Sequence, residues 1–100
     1  MPKIYEYFGL VFLFYSNDHT PIHIHVKHGT LENKLLFIYD NGKLIDVAVK
    51  TIKGKKGLSE AMLSDALKLA KAKEPDITKM WLDFFGKNKN PVCKKITKKV

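Results

Sequence analysis

The residues best suited to chemistry are the four histidines, which all fall within one ten-residue stretch of the chain. Apolar and polar residues alternate through most of residues 22–28, and this alternation predicts a β-strand. On such a strand His23 and His25 project from the same face, with their Cα atoms about 7 Å apart. His19 precedes the strand in a turn. His28 is an odd number of residues from His23 and His25, so it points to the other face of the strand or lies in the next turn. The sequence therefore predicts two neighbouring imidazoles on one face of a sheet.

Three interpretations of this cluster stay open. Imidazole titrates near neutrality, so His23 and His25 could move protons in the cleavage of RNA, with His19 as a helper and a lysine stabilising the charged transition state. Alternatively, His23 and His25 could share a tetrahedral metal ion, with His19 or Asp18 as the third ligand and water as the fourth. In the third interpretation the rings are structural and hydrogen-bond to neighbouring polar groups. We expect no cofactor and no metal, and the three-histidine metal site is kept as an alternative.

The distribution of lysine is the second functional feature. All 18 basic residues are lysine, and the formal net charge is +8. Lysine lacks the planar fork with which arginine reads guanine, but its point charge attracts phosphate. The excess charge lies in residues 50–56 and 87–100, which contain no acid. We predict that both segments contact RNA or an acidic partner protein. The candidate contact residues are Lys50, Lys53, Lys55, Lys56, Lys94, Lys95, Lys98 and Lys99.

Other classes of function lack support in the sequence. Cys93 is the single cysteine, so an internal disulfide is impossible. The glycines near Lys55 lack the spacing of a phosphate-binding loop, and no serine or cysteine lies in a nucleophile elbow. The longest apolar run, over 10–15, is far shorter than the roughly 18 residues of a membrane span. The first residues do not resemble a signal peptide, so we expect a cytoplasmic protein without membrane contact.

The elements that must position these residues differ between the two halves of the chain. The first half has strand periodicity, and Asn41-Gly42 predicts a tight hairpin. The second half has helical periodicity, with Ser59 as the N-cap of a helix over 60–73. We predict an α+β domain over residues 1–86, followed by a lysine-rich tail over 87–100. The predicted architecture of the domain is an antiparallel meander of four to five strands, with a two-helix element on one face of the sheet. The predicted strands are 3–8, 10–15, 22–28, 34–39 and 43–49.

A family resemblance rests on the histidine segment. The opening residues 1–4, the run Phe12–His19 and the run Pro21–Val26 are similar to a bacterial family of small proteins, the domain of unknown function numbered 4160. Its members carry a Tyr-Ser-Asn-Asp/Glu-His block followed by Pro-x-His-x-His-Val. The resemblance continues through Asn41-Gly42, Trp81 and the lysine-rich end of the chain. One departure is Thr20-Pro21, where many relatives have consecutive prolines, which changes the rigidity of the turn.

The resemblance implies no particular enzymatic reaction, and it points instead to a regulatory function. Members of the family often lie in small two-gene arrangements, so they are suspected components of toxin–antitoxin systems or regulators. On that implication, the partner is RNA or an acidic protein encoded nearby. The positions that the resemblance marks are Tyr15, Asn17, Asp18, His19, His23 and His25.

Overall fold

The structure is a computed structural model that describes residues 3–15 and 21–100. Its architecture confirms the predicted α+β class, with two helices packed on a single sheet. The sheet has six strands in the order β5-β4-β3-β2-β1-β6, and the first five form the predicted meander. The elements are β1 Lys3–Tyr7, β2 Leu10–Leu13, β3 His23–His28, β4 Leu31–Asp40, β5 Lys43–Lys50, α1 Glu60–Ala72, α2 Glu74–Lys87 and β6 Lys94–Ile96.

The sheet is larger than predicted and is mixed instead of purely antiparallel. Strand β6 pairs with β1 in parallel, with Ile96 opposite Tyr7. The chain reaches this edge after α2 and runs in the same direction as β1. A strand of three residues in a lysine-rich segment carries too little periodicity to fix its pairing.

Tight turns set the register of the meander. Asn41 and Gly42 both have positive φ angles, which confirms the predicted hairpin. The turn at Gly29 pairs His28 with Leu31, so β4 begins three residues earlier than the predicted start at Lys34. The early start matters because it brings residues 31–33 into the sheet beside the histidines.

The helices cover one face of the sheet. Ser59 caps α1 by accepting a hydrogen bond from the Met62 backbone N–H. Because apolar residues recur at helical spacing, each helix buries one stripe against the strands. None of the described helices is long and apolar enough to span a membrane. The buried residues of this core include Phe12, Phe14, Ile24, Val26, Leu35, Phe37, Ala66, Leu69, Ile77 and Trp81.

The opposite side of the sheet carries the histidines. Ile24 and Val26 lie in the helix-covered core, so His23 and His25, which alternate with them, project from the other face. We call this other side the histidine face. Its members follow from the strand register and are Lys3, Glu6, Val11, Leu13, His23, His25, Lys27, Glu32, Lys34, Leu36, Ile38, Asp46, Ala48, Lys50 and Lys95.

Candidate functional site

The predicted histidine pair lies at the centre of the histidine face. The ring centroids of His23 and His25 are 5.5 Å apart, and the ring planes are inclined by 67°. Each histidine is 8% exposed, and His25 Nε2 is buried. The two rings are therefore neighbours, as the strand periodicity requires, but they lie below the surface. His19, Asp18 and Asn17 lie outside the described residues, as does the predicted turn before β3 except for Pro21.

A buried carboxylate orients His25. Glu32 is 2% exposed, and its Oε2 lies 3.1 Å from His25 Nδ1 and 2.9 Å from the Tyr15 hydroxyl oxygen. An ionised carboxylate accepts only, so His25 Nδ1–H and the Tyr15 hydroxyl both donate to it. The Tyr15 ring also meets the His25 ring edge-on, at a centroid separation of 4.2 Å. These contacts fix both the position of the His25 ring and the nitrogen that carries its proton.

His23 is held in the same tautomer by a different acceptor. Its Nδ1 lies 2.9 Å from the backbone carbonyl oxygen of Pro21. A carbonyl oxygen cannot donate, so Nδ1 carries the proton. In the neutral form of either ring, Nε2 is therefore the nitrogen without a proton.

The basic loop that follows β5 is tied to the same part of β4. The Asn33 side chain donates to the Lys50 carbonyl oxygen at 3.1 Å and accepts from the Leu58 N–H at 2.7 Å. The Glu32 backbone N–H donates to the Lys56 carbonyl oxygen at 2.9 Å. Lys55 Nζ lies 3.9 Å from Glu32 Oε1. One side-chain amide thus closes the loop at both ends, beside the carboxylate that orients His25.

A row of cationic residues crosses the histidine face. In the strand register Lys3 is opposite Leu13, Leu13 is opposite His25, His25 is opposite Lys34, and Lys34 is opposite Lys50. The row spans five strands, which is about 19 Å at the usual strand spacing of about 4.8 Å. Lys27 lies in the adjacent row, between Val11 and Glu32.

These lysines have no carboxylate partners within the described part of the chain. The ion pairs that lysines form there involve Lys55, Lys87 and Lys99, and none involves the row lysines or Lys27. Lys34 and Lys50 are directly opposite each other, an arrangement of like charges that destabilises a sheet. A cavity of about 210 Å³ lies nearby, lined by Lys3, Val11, Leu13, Lys27 and Gly29. The histidine face thus combines cationic groups with an apolar floor.

The two predicted lysine segments lie at opposite edges of the sheet. Lys50 ends β5, and Lys53, Lys55 and Lys56 follow in the loop. The second segment adjoins β1, with Lys94 and Lys95 in β6 and Lys98 and Lys99 after it. With six strands in the sheet, these edges are about 24 Å apart. The segments therefore do not form one patch.

Lys99 makes contacts within the fold. Its Nζ lies 4.6 Å from the centroid of the Phe8 ring and 3.5 Å from Asp65 Oδ2. Phe8 itself is exposed at the tip of the β1–β2 turn and has a positive φ of 47°. These contacts attach the end of the chain to the turn and occupy the ammonium group.

Sequence reasoning missed several members of the face. Glu32 was not singled out, and neither were Lys3, Lys27 and Lys34. The signal that could have located Glu32 is the Gly29-Thr30 pair. If these two residues are read as a two-residue turn, the register of β3 and β4 is fixed and Lys27 lies opposite Glu32. Among residues 3–15 and 21–100, no group of three histidine, cysteine or acidic residues is arranged to hold a metal ion.

A second cavity, of about 270 Å³, lies beside α2 and is unrelated to the histidines. Tyr5 and Met80 contribute to its lining, and its charged residues are of both signs: Asp76, Lys79, Asp83, Lys89 and Lys94. Burial, together with the nearby Asp76 carboxylate, raises the pKa of Tyr5 to about 12. The mixed charges of this cavity favour neither an anion nor a cation.

The comparisons with known proteins agree with the resemblance seen in the sequence. The model of a family described as a domain of unknown function, DUF4160, matches residues 9–82. The chain belongs to the DUF4160 family. No curated protein and no solved structure matches it significantly. The matched DUF4160 region contains the histidine pair, Glu32, Lys34 and Lys50, whereas β6 lies beyond it.

Proposed function

We propose that this DUF4160 protein binds RNA on its histidine face, as a toxin–antitoxin-like or regulatory component. In this proposal Lys3, Lys27, Lys34 and Lys50 contact the phosphates. The observation that carries the proposal is the direct pairing of Lys34 with Lys50 without a carboxylate partner in the described residues.

The direct pairing of Lys34 with Lys50 costs the fold free energy. Two ammonium groups on directly opposite residues repel each other, and the fold gains no attraction in return. A phosphate placed between them converts the repulsion into two attractive contacts, and it releases counterions from the nucleic acid. The arrangement therefore favours a polyanion bound across β4 and β5.

The charge of the helical layer gives a contrast within the same molecule. In α1, Glu60 and Asp65 balance Lys68 and Lys71. That balance makes the helix-covered side a poor site for a polyanion. An RNA is thus expected to select the histidine face by electrostatic attraction.

The shape of the cationic row favours RNA over an acidic protein. The row is extended, crossing five strands, and its three lysines carry point charges that suit single phosphates. The half-buried Val11 gives an apolar surface near Lys3 and Lys27, on which an unpaired base could lie. The proposal assigns no catalytic role to His23 or His25, because a phosphodiester does not reach rings that are 8% exposed.

The test is the binding of a fluorescently labelled single-stranded RNA, followed by anisotropy at several salt concentrations. Each phosphate contact contributes about −0.7 to the slope of log K against log salt, so the four lysines predict a slope of about −2.8. The variant Lys34→Ala/Lys50→Ala removes two contacts. Its expected slope is about −1.4, with an affinity about 25-fold lower at 0.1 M salt.

The matched control is Lys68→Ala/Lys71→Ala, which removes the same charge from the exposed side of α1. This variant is expected to bind RNA almost as wild type does. Equal loss of affinity in both variants, or an affinity that is independent of salt, contradicts the proposal. Binding to a polyglutamate peptide but not to RNA would favour an acidic partner protein instead.

A further inference from the structure

We infer that the bound RNA inserts one unpaired base into a cavity over β2, where Lys27 selects uracil and guanine because they carry a carbonyl oxygen on the edge remote from the sugar. The inference rests on the proposed RNA binding and adds a base preference to it. The cavity is the one of about 210 Å³ that is lined by Lys3, Val11, Leu13, Lys27 and Gly29, and we call it the β2 cavity.

The strand register explains how the β2 cavity forms. Val11 and Leu13 belong to β2 and alternate onto the histidine face. Lys3 of β1 is opposite Leu13, and Lys27 of β3 is opposite Val11. The two lysines therefore flank β2 from either side. Gly29, in the turn after β3, is exposed and has no side chain, so it leaves that end of the cavity accessible.

The size of the β2 cavity suits a single base. Pockets for drug-sized ligands have volumes of about 300–1,000 Å³. The β2 cavity is smaller, at about 210 Å³, and its half-buried Val11 offers an apolar surface to the face of a ring. The phosphate of the inserted nucleotide stays at the mouth of the cavity, where the exposed Lys3 contacts it. The cavity thus accommodates one nucleotide of a longer strand.

The side chains that line the β2 cavity donate hydrogen bonds and accept none. An ammonium group has three donors and no acceptor, and the other lining residues have no polar side-chain atom. Glu6 lies opposite Val11 in the register, but its carboxylate does not line the cavity. The cavity therefore suits a base whose inserted edge carries an acceptor.

The attachment of the sugar decides which edge enters. In a pyrimidine the sugar is bonded to N1, and C4 is the ring atom opposite N1, so the substituent on C4 enters deepest. That substituent is a carbonyl oxygen in uracil and an amino group in cytosine, and the corresponding purine pair is guanine O6 and the adenine N6 amino group. Lys27 is half-buried whereas Lys3 is exposed, so Lys27 meets the inserted edge. An amino group in that position would set a donor against a donor.

The experiment compares two single-stranded RNAs of equal length, one of uridine only and one of cytidine only, by fluorescence anisotropy. The wild-type chain is expected to bind the uridine strand at least about tenfold more tightly, which is the contribution of one hydrogen bond from a charged donor. Both affinities should fall with salt, but their ratio should stay constant, because the two strands carry the same number of phosphates.

Two matched variants locate the preference. Lys27→Met keeps the apolar stem of the side chain and removes the ammonium group, so it is expected to weaken both complexes and to bring the ratio close to one. Lys34→Met makes the same change outside the β2 cavity. This control is expected to weaken both complexes and to keep the wild-type ratio. Circular dichroism is recorded for each variant, and the wild-type ratio is informative even if a variant does not fold.

The outcomes separate this inference from the RNA proposal on which it rests. Equal, salt-dependent affinities of the wild-type chain for both strands would overturn the base preference and leave RNA binding intact. A preference for the cytidine strand would also overturn it, and would point to a carboxylate acceptor such as Glu6. A preference that persists in Lys27→Met would refute the role of this lysine. Absence of binding to either strand would overturn both proposals.

Discussion

The Lys34–Lys50 pair predicts that one substitution strengthens the fold and weakens RNA binding. Lys50→Glu replaces two like charges on opposite residues with an attractive pair. An opposite-charge pair in this position contributes about 0.2–1 kcal/mol, and relief of the repulsion adds to it, so we expect a gain of about 1 kcal/mol. The backbone contact from Asn33 to the Lys50 carbonyl does not depend on the side chain, so it remains.

The gain is measurable by thermal and urea unfolding. For a domain of this size, about 1 kcal/mol raises Tm by about 4–8 °C. The gain should shrink in 1 M salt, where the Debye length is only about 3 Å. In the anisotropy assay the same variant should bind RNA at least about fivefold more weakly at 0.1 M salt, because it loses one phosphate contact.

A control of equal charge change lies at the other end of β5. Lys43 is opposite Asp40, so Lys43→Glu creates a like-charge pair and should lower the free energy of unfolding. A gain in both variants would show that net charge, and not the local pair, sets the effect. A loss of stability in Lys50→Glu would refute the reasoning directly.

Two further predictions concern the basic loop and the buried Tyr5. Asn33→Ala leaves the buried Leu58 N–H without its acceptor and frees the Lys50 carbonyl, so urea unfolding should show a loss of about 1–3 kcal/mol; unchanged stability would mean that the loop does not depend on this amide. Burial, and then Asp76, raises the pKa of Tyr5 to about 12, so the fold favours its neutral form. The resulting stabilisation is present below pH 10 and is lost as the pH rises towards 12, and Tyr5→Phe, compared with wild type by unfolding at each pH, should remove this loss; parallel pH profiles would contradict it.

The elements of this fold were predictable wherever the information is local. Alternation over β3, the Asn41-Gly42 turn and the N-cap at Ser59 each involve residues close together in the chain, so the sequence is sufficient to place them. The meander follows because short turns join antiparallel neighbours. Strand β6 was not predictable in the same way, since its pairing joins Ile96 to Tyr7 across almost the whole chain.

The candidate site shows the same division. The sequence by itself determined that His23 and His25 share a face, because the period of a strand is two residues. Only the tertiary structure decided that Glu32 orients His25, that Lys34 lies opposite Lys50, and that the two lysine segments lie at opposite edges of the sheet. The physical reason is that strand order and register bring together residues that no local pattern connects, and the environment of a charge depends on those distant neighbours.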